Sequence, residues 1–309
     1  MPWGETIVKY WRYLYCFSAS LLTISSCAIP VRPTHSSEVK VVNGQKIVSN
    51  DITPGANASV SIASKAGNGF SYFCSASIIG SKWVLTAQHC LEGRSSGDTY
   101  VIFADDINQA KFQSRIQWRA IEVIFRAPGH LPPNQAEHEW HPELKPGGRF
   151  QIRLKADLAL IKITEEIPPG YSPARIPKQQ NLNNGDELHF IGYGSSSPNF
   201  LGGGTRRTTK LRFTGQSFDG GLVSGVATHV LLLEKTITGE YICRGDSGGG
   251  AFRKLGETLF LVGVNSYTKG SNKPGAEYYD CEAGLAHVFY TPDYRPWIQS
   301  IMGDELAEP

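Results

Sequence analysis

Three short stretches of this chain hold residue types that could move a proton and attack a carbonyl. The first is Gly245-Asp246-Ser247-Gly248-Gly249, preceded by Cys243 and set between two strand-like runs. Glycines on both sides of a serine let the backbone turn sharply and let a substrate carbonyl approach the main chain. The N–H groups of Gly245 and Ser247 could then converge on one oxygen, the arrangement that stabilises an oxyanion. A glycine-rich hairpin would account for the glycines but not for the acid beside the serine. A serine hydroxyl is a poor nucleophile until a base takes its proton, and histidine has the ordinary pKa suited to that near neutrality. Of the eight histidines, His89 follows the apolar run Trp83 to Ala87 and precedes Cys90, where a bridge could fix its backbone. The base in turn needs an orienting carboxylate, and Asp157 stands at the mouth of the apolar run Leu158 to Ile163.

Short strands must position these groups. The chain has 309 residues, 40% of them apolar, with 33 Gly and 18 Pro. That composition suits many strands joined by turns and is long enough for one large core or two modest ones. Strand-like runs fall at Ser59 to Ala63, Phe73 to Ile79, Trp83 to Ala87, Tyr100 to Ala104, Ala120 to Phe125, Leu158 to Ile163, Glu187 to Tyr193, His229 to Leu233 and Leu259 to Val264. Their spacing predicts an all-β barrel or sandwich, with a short terminal helix over Asp293 to Met302. Pro128 to Arg149 reads as a surface insertion, and Gly202 to Thr209 as an exposed loop whose Arg206-Arg207 offers a site for nicking. A net charge of +2 leaves no excess with which to neutralise phosphates, so nucleic acid is not an expected partner.

The first 27 residues read as a secretory signal, with Lys9 and Arg12 ahead of the apolar Tyr13 to Ile24. Ile24-Ser25-Ser26-Cys27 also resembles the bacterial lipobox, which makes Cys27 a candidate lipid anchor beside the alternative of an ordinary signal cut near Ser26 or Ala28. Residues 28–40 suit a linker or propeptide. Of six cysteines, Cys16 and Cys27 lie in the removable segment, and the remaining four allow three pairings. Pairing neighbours, Cys74 with Cys90 and Cys243 with Cys281, closes two modest loops. Each bridge would add about 2–4 kcal/mol.

Together the three stretches carry a resemblance. Thr86-Ala87-Gln88-His89-Cys90, Asp157-Leu158-Ala159-Leu160-Ile161 and Cys243 to Gly250 resemble the histidine, aspartate and serine motifs of the chymotrypsin/trypsin-like serine proteases, in that family's chain order. Phe73-Cys74, Gly192-Tyr193-Gly194, Ser266-Tyr267 and Tyr294…Trp297-Ile298 extend it over most of Val41 to Ile301. Gly250, where the family usually has proline, and Gln88, in place of a small residue, depart from it without removing a catalytic group. The resemblance implies two packed six-stranded antiparallel barrels with a short C-terminal helix, spanning about 41–170 and 171–309 with the active site between them. It implies a secreted serine endopeptidase acting through an acyl-enzyme, with His89, Asp157 and Ser247 as the triad, Gly245 and Ser247 as the oxyanion hole, and Ser266 supporting the aspartate and lining the substrate strand. Lys40-Val41-Val42-Asn43-Gly44 resembles the family's activation site, where cleavage frees an amine at Val41 that pairs with the acid before the serine, here Asp246. Lys46-Ile47-Val48 is a competing cut site without the following glycine.

By the same resemblance, Tyr241 falls at the base of the primary specificity pocket, where trypsins carry an aspartate, and Ala286 where many members have a wall glycine. Arg244, before the oxyanion glycine, could favour acidic groups. The expectation is a preference for small or medium uncharged residues. Expected partners are protein or peptide substrates and an activating protease, with no metal or organic cofactor, and a membrane only through lipid at Cys27. Two readings compete. His138 and His141 with Glu137, Glu139 and Glu143 could hold a metal, but the histidines are three apart in a Pro/Gly-rich insertion, not four apart on a helix face. A non-catalytic binding protein on a protease fold is the other, since fold alone does not make an enzyme.

Overall fold

β-Branched and aromatic runs broken by Gly and Pro turns form the strands of this protein. The computed structural model describes residues 44–47, 53–67, 69–110, 117–129, 138–140, 150–152, 156–197, 201–217, 222–223, 226–235, 241–269 and 285–309. The signal and lipobox expectations, Lys40, Val41, Cys281, Glu137, His141 and Glu143 lie outside these residues. In chain order come β1 (Gln45–Lys46), β2 (Ser59–Ala66), β3 (Gly69–Gly80), β4 (Trp83–Thr86), β5 (Thr99–Phe103), β6 (Gln117–Arg126), β7 (His138–Trp140), β8 (Phe150–Ile152) and β9 (Ala159–Ile163). They are followed by β10 (Glu187–Gly192), β11 (Arg207–Ser217), β12 (Leu222–Val223), β13 (Val226–Ala227), β14 (Val230–Lys235), β15 (Gly250–Leu255), β16 (Thr258–Lys269) and β17 (Leu285–Tyr290).

Six strands close an antiparallel barrel in the order β2-β3-β4-β9-β6-β5. A second ring of six runs β11-β10-β15-β16-β17-β14 and closes through β11–β14 pairing, with β1 added at the edge of β11. β7, inside the expected insertion, pairs antiparallel with β8, which begins just past its end at Arg149. Apolar runs become strands buried on both faces. In β4 and β9, Val84, Ala159, Ile161 and Ile163 fill the first barrel, while Trp83, Leu85 and Leu160 point the other way into a core shared with Phe252, Leu261 and Phe289 of the second. Burying each large side chain there stabilises by about 1.5–3 kcal/mol. The C-terminal helix α2 (Thr291–Met302), which follows the single turn α1 (Ile107–Ala110), lays Tyr294, Ile298 and Met302, one residue per turn, onto the same core.

One reading of the sequence is overturned. Arg206 and Arg207 are not in an exposed loop: they are 2% and 5% exposed, and Arg207 opens β11. Arg206 is held by the Ala56 carbonyl, 2.6 Å from Nη1, and by Asp105, so a protease has no access to this pair. Lys46-Ile47 is likewise tied in, since Lys46 pairs with Arg207 in β1–β11 and Ile47 is fully buried.

Candidate active site

β4 ends at Thr86, and the chain turns through a short 3-10 segment, Gln88–Leu91, that carries His89. The Cys74–Cys90 disulfide ties this turn back to β3, as the neighbour pairing expected. Its 16-residue separation makes it worth about 3 kcal/mol in loop-closure terms. Cys243 is also disulfide-bonded, to a partner outside the described residues. Asp157 sits just before β9, the strand paired with β4, so the two barrel neighbours deliver histidine and aspartate to one end of the sheet. Ala156 makes the approach in the left-handed region at φ 57°, a strained conformation for a residue with a Cβ and of the kind found beside functional groups.

Asp157 is fully buried and holds His89 twice. The His89 main-chain N–H donates to Oδ1 at 2.8 Å, and Nδ1 lies 2.7 Å from Oδ2. A carboxylate only accepts, so Nδ1 carries the proton and Nε2 is left as the basic nitrogen. Ser266 Oγ donates to the same Oδ2. Burial alone would lower the His89 pKa, but the Asp157 charge and hydrogen bond outweigh it and the net shift is upward. Burial would likewise raise Asp157, but His89 and Ser266 hold it below the usual carboxylate range. The pair favours an imidazolium beside a carboxylate.

Ser247 lies in the loop before β15, with its carbonyl oxygen 3.8 Å from Cys90 Sγ, the sulfur that stands 3.9 Å from His89 Nε2. Its Oγ donates to the Ser266 carbonyl at 3.2 Å rather than to His89, so Ser266 touches both the acid and the serine. Gly248, at φ 80°, must be glycine: a Cβ there would stand 2.1 Å from Thr86 Oγ1 and 2.2 Å from the Ser75 carbonyl.

The peptide planes around Ser247 are fixed by their carbonyls. The Arg244 carbonyl accepts from the Ser195 N–H at 2.8 Å, and the Asp246 carbonyl from the Gly249 N–H at 3.0 Å. In a trans peptide the N–H points opposite the C=O, so the N–H groups of Gly245 and Ser247 are turned away from these anchors. Ser75, on β3, adds two clamps: its Oγ donates to the Gly245 carbonyl at 2.9 Å and its N–H to the Ser247 carbonyl at 2.8 Å. Neither Ser75 nor Ser195 was marked by the sequence, where a serine in an apolar strand and one in a Gly/Ser turn carry no chemical signature. Asp246 is fully buried. Its Oδ1 accepts from the Gly194 N–H at 2.8 Å and its Oδ2 from the Cys243 N–H at 2.9 Å. Burial dominates and pushes its pKa up to about 6, against the lowering effect of these donors and of Arg207.

The specificity candidates are scattered in exposure. Tyr241 is buried against Cys243, Ala286 is buried in β17, and Arg244 is exposed, its carbonyl held by Ser195. His287 of β17 stacks on Tyr267 of β16 with centroids 4.4 Å apart. Among the described residues, Cys74, His89 and Cys90 bring metal-ligand atoms within 4.8 Å of one another, but both sulfurs are in the bridge and offer no thiolate.

Two six-stranded antiparallel barrels, with a His-Asp pair on one and a glycine-flanked serine on the other, define the chymotrypsin-type class of fold. The chain matches the Trypsin family over residues 41–298 and belongs to it. It is 24% identical over 303 residues to the collagenase of Hypoderma lineatum, covering 94% of this chain and 98% of that one. It is 28% identical over 208 residues to the venom serine protease Bi-VSP of Bombus ignitus, covering 63% of this chain and only 51% of that longer protein. Mouse neuropsin shares the fold with a TM-score of 0.58 at 16% identity, over 84% of this chain and 99% of its own. No helix among the described residues is long and apolar enough to cross a membrane.

Proposed function

We propose that this protein is a secreted serine endopeptidase in which Ser247 is the nucleophile, His89 the general base and Asp157 the group that orients and charges it. The observation that carries the reading is the doubly held His89–Asp157 pair, which leaves Nε2 basic, with Ser266 bonded both to Asp157 and to Ser247. Rotation about the Ser247 Cα–Cβ bond, between staggered positions of similar energy, would carry the hydroxyl from the Ser266 carbonyl to Nε2. Ser247 would then attack a peptide carbonyl as His89 takes its proton. The N–H groups of Gly245 and Ser247 would stabilise the oxyanion, and His89 would protonate the leaving amine before water releases the acyl group. Proteins or peptides are the substrates. Cleavage after Lys40 by another protease would free the Val41 amine to join Asp246, and residues 1–27 would direct export, with or without lipid at Cys27.

The test is acylation of the cut protein by a fluorophosphonate, located by mass spectrometry. Label on Ser247, lost in Ser247→Ala and in His89→Ala and untouched by a chelator, is the expected result. The second reading, a non-catalytic binding protein, is favoured by one observation, the Ser247 hydroxyl engaged with Ser266 and not with His89. Absence of label on a folded, cut chain would select it.

A further inference from the structure

Gly192 and Arg207 face each other across β10 and β11, and residues directly opposite in an antiparallel pair send their side chains to the same face. On that face the place of a Gly192 side chain is filled by Asp246, whose Oδ1 lies 2.0 Å from where a Cβ would be. The Arg207 stem therefore starts beside the buried carboxylate. Each group is incompletely satisfied. Asp246 accepts two main-chain N–H bonds, fewer than the roughly four its two oxygens can take. Arg207 is 5% exposed, donates Nη1 to the Thr205 carbonyl at 3.2 Å, and has an Nε with no acceptor. A guanidinium remains charged when buried, and an isolated buried charge is costly. The two are not in direct contact, but each shifts the other's titration, and the Tyr72 phenol stands within electrostatic reach of both.

We infer that Arg207 is a resident counter-cation for Asp246, a positioning residue that keeps the loop bearing the Gly245 and Ser247 donors in its competent shape before any cut at Lys40. The inference rests on the serine-protease reading for its consequence. An amine freed at Val41 then adds a second positive charge to a site that already has one. The uncut chain accordingly works, and cutting raises activity by a modest factor instead of switching it on.

The experiment uses the full chain in two forms, cut after Lys40 and kept uncut by Lys40→Gln, each with Arg207 native, Arg207→Gln and Arg207→Lys. The rate of Ser247 labelling by a fluorophosphonate is read. The expected result is an uncut parent within about 100-fold of the cut one, a loss of tenfold or more on Arg207→Gln in the uncut form, less than threefold in the cut form, and recovery with Arg207→Lys. Equal losses in both forms, or no rescue by lysine, would overturn the proposal. A cut parent that takes no label defeats the enzymatic reading instead. The pairing is then judged on uncut chains by urea unfolding of Arg207→Gln, Asp246→Asn and the double variant. A double variant whose midpoint is higher than the sum of the single shifts predicts supports it, and additive shifts reject it.

Discussion

The hydroxyl of Ser75 donates to the carbonyl oxygen of Gly245 at 2.9 Å, so a side chain of the first barrel fixes the main chain of the glycine loop in the second. The same hydroxyl accepts from the Tyr193 N–H at 2.9 Å. Barrel packing and the shape of the candidate oxyanion site are thus one structural event, because moving β3 relative to β10 would break both bonds and re-aim the Gly245 peptide.

Ser75→Ala removes these bonds and leaves a buried carbonyl and a buried N–H without that partner. Each unpaired group costs about 1–3 kcal/mol. Chemical denaturation should show a loss of about 2–6 kcal/mol for the two groups together, and hydrolysis should show kcat falling about tenfold with KM little changed, because the bonds act on the loop and not on substrate. A change in KM alone would contradict this account.

The pH profile follows from the His89–Asp157 pair. Catalysis needs His89 neutral, and its pKa is net raised, since the nearby carboxylate overcomes the effect of burial. The acid limb of kcat/KM should therefore lie above the ordinary histidine value. In Asp157→Asn the cause of the rise is removed and burial remains, so the limb should move to lower pH while the plateau drops by about 10^4. Rate measurements from pH 5 to 9 check both signs.

Asp246 gives a stability signature in the uncut chain. Its folded pKa, about 6, lies above the ordinary carboxylate value, so the native state binds more protons than the unfolded one between about pH 4 and 6. Its contribution is fully present below that window and is lost as pH rises through about 6, a change of up to about 3 kcal/mol. Thermal unfolding of the Lys40→Gln chain and of the same chain with Asp246→Asn should diverge across this window, the asparagine form gaining relative stability as pH rises. Parallel curves would refute it.

Much of this was legible in the sequence because burial writes itself as apolar runs. β4 and β9, buried on both faces, read as continuous hydrophobic stretches, and they are the strands that bring His89 and Asp157 together. β11 was missed because its opening Arg-Thr-Thr-Lys is polar, yet Arg207 is buried by tertiary contacts that local composition cannot signal. The serine loop was legible as glycines around an acid and a serine. Its supports were not, since Ser195 acts through a main-chain N–H that nearly every residue possesses and the Ser75 hydroxyl finds Gly245 and Tyr193 only through tertiary packing, 170 and 118 residues away in the chain.

Substrate choice should follow from the charge at the pocket floor. Tyr241, at the position expected to floor the specificity pocket, is buried beside Cys243 and carries no charge, while Ala286, expected at the pocket wall, packs in the second barrel's core with Val288 and Tyr290. Placing an Arg or Lys side chain against such a floor would desolvate a cation with no carboxylate opposite, at a cost of several kcal/mol. Apolar contacts, by comparison, discriminate by about 1–3 kcal/mol per methylene. The charge penalty should dominate, so small or medium uncharged residues before the scissile bond should be cut at least tenfold better than Arg or Lys in a peptide library. Tyr241→Asp should narrow or reverse that ratio while lowering the thermal midpoint, because the new carboxylate is unpaired until a cationic substrate arrives. A library in which Arg is preferred by the parent protein would remove Tyr241 from the pocket floor.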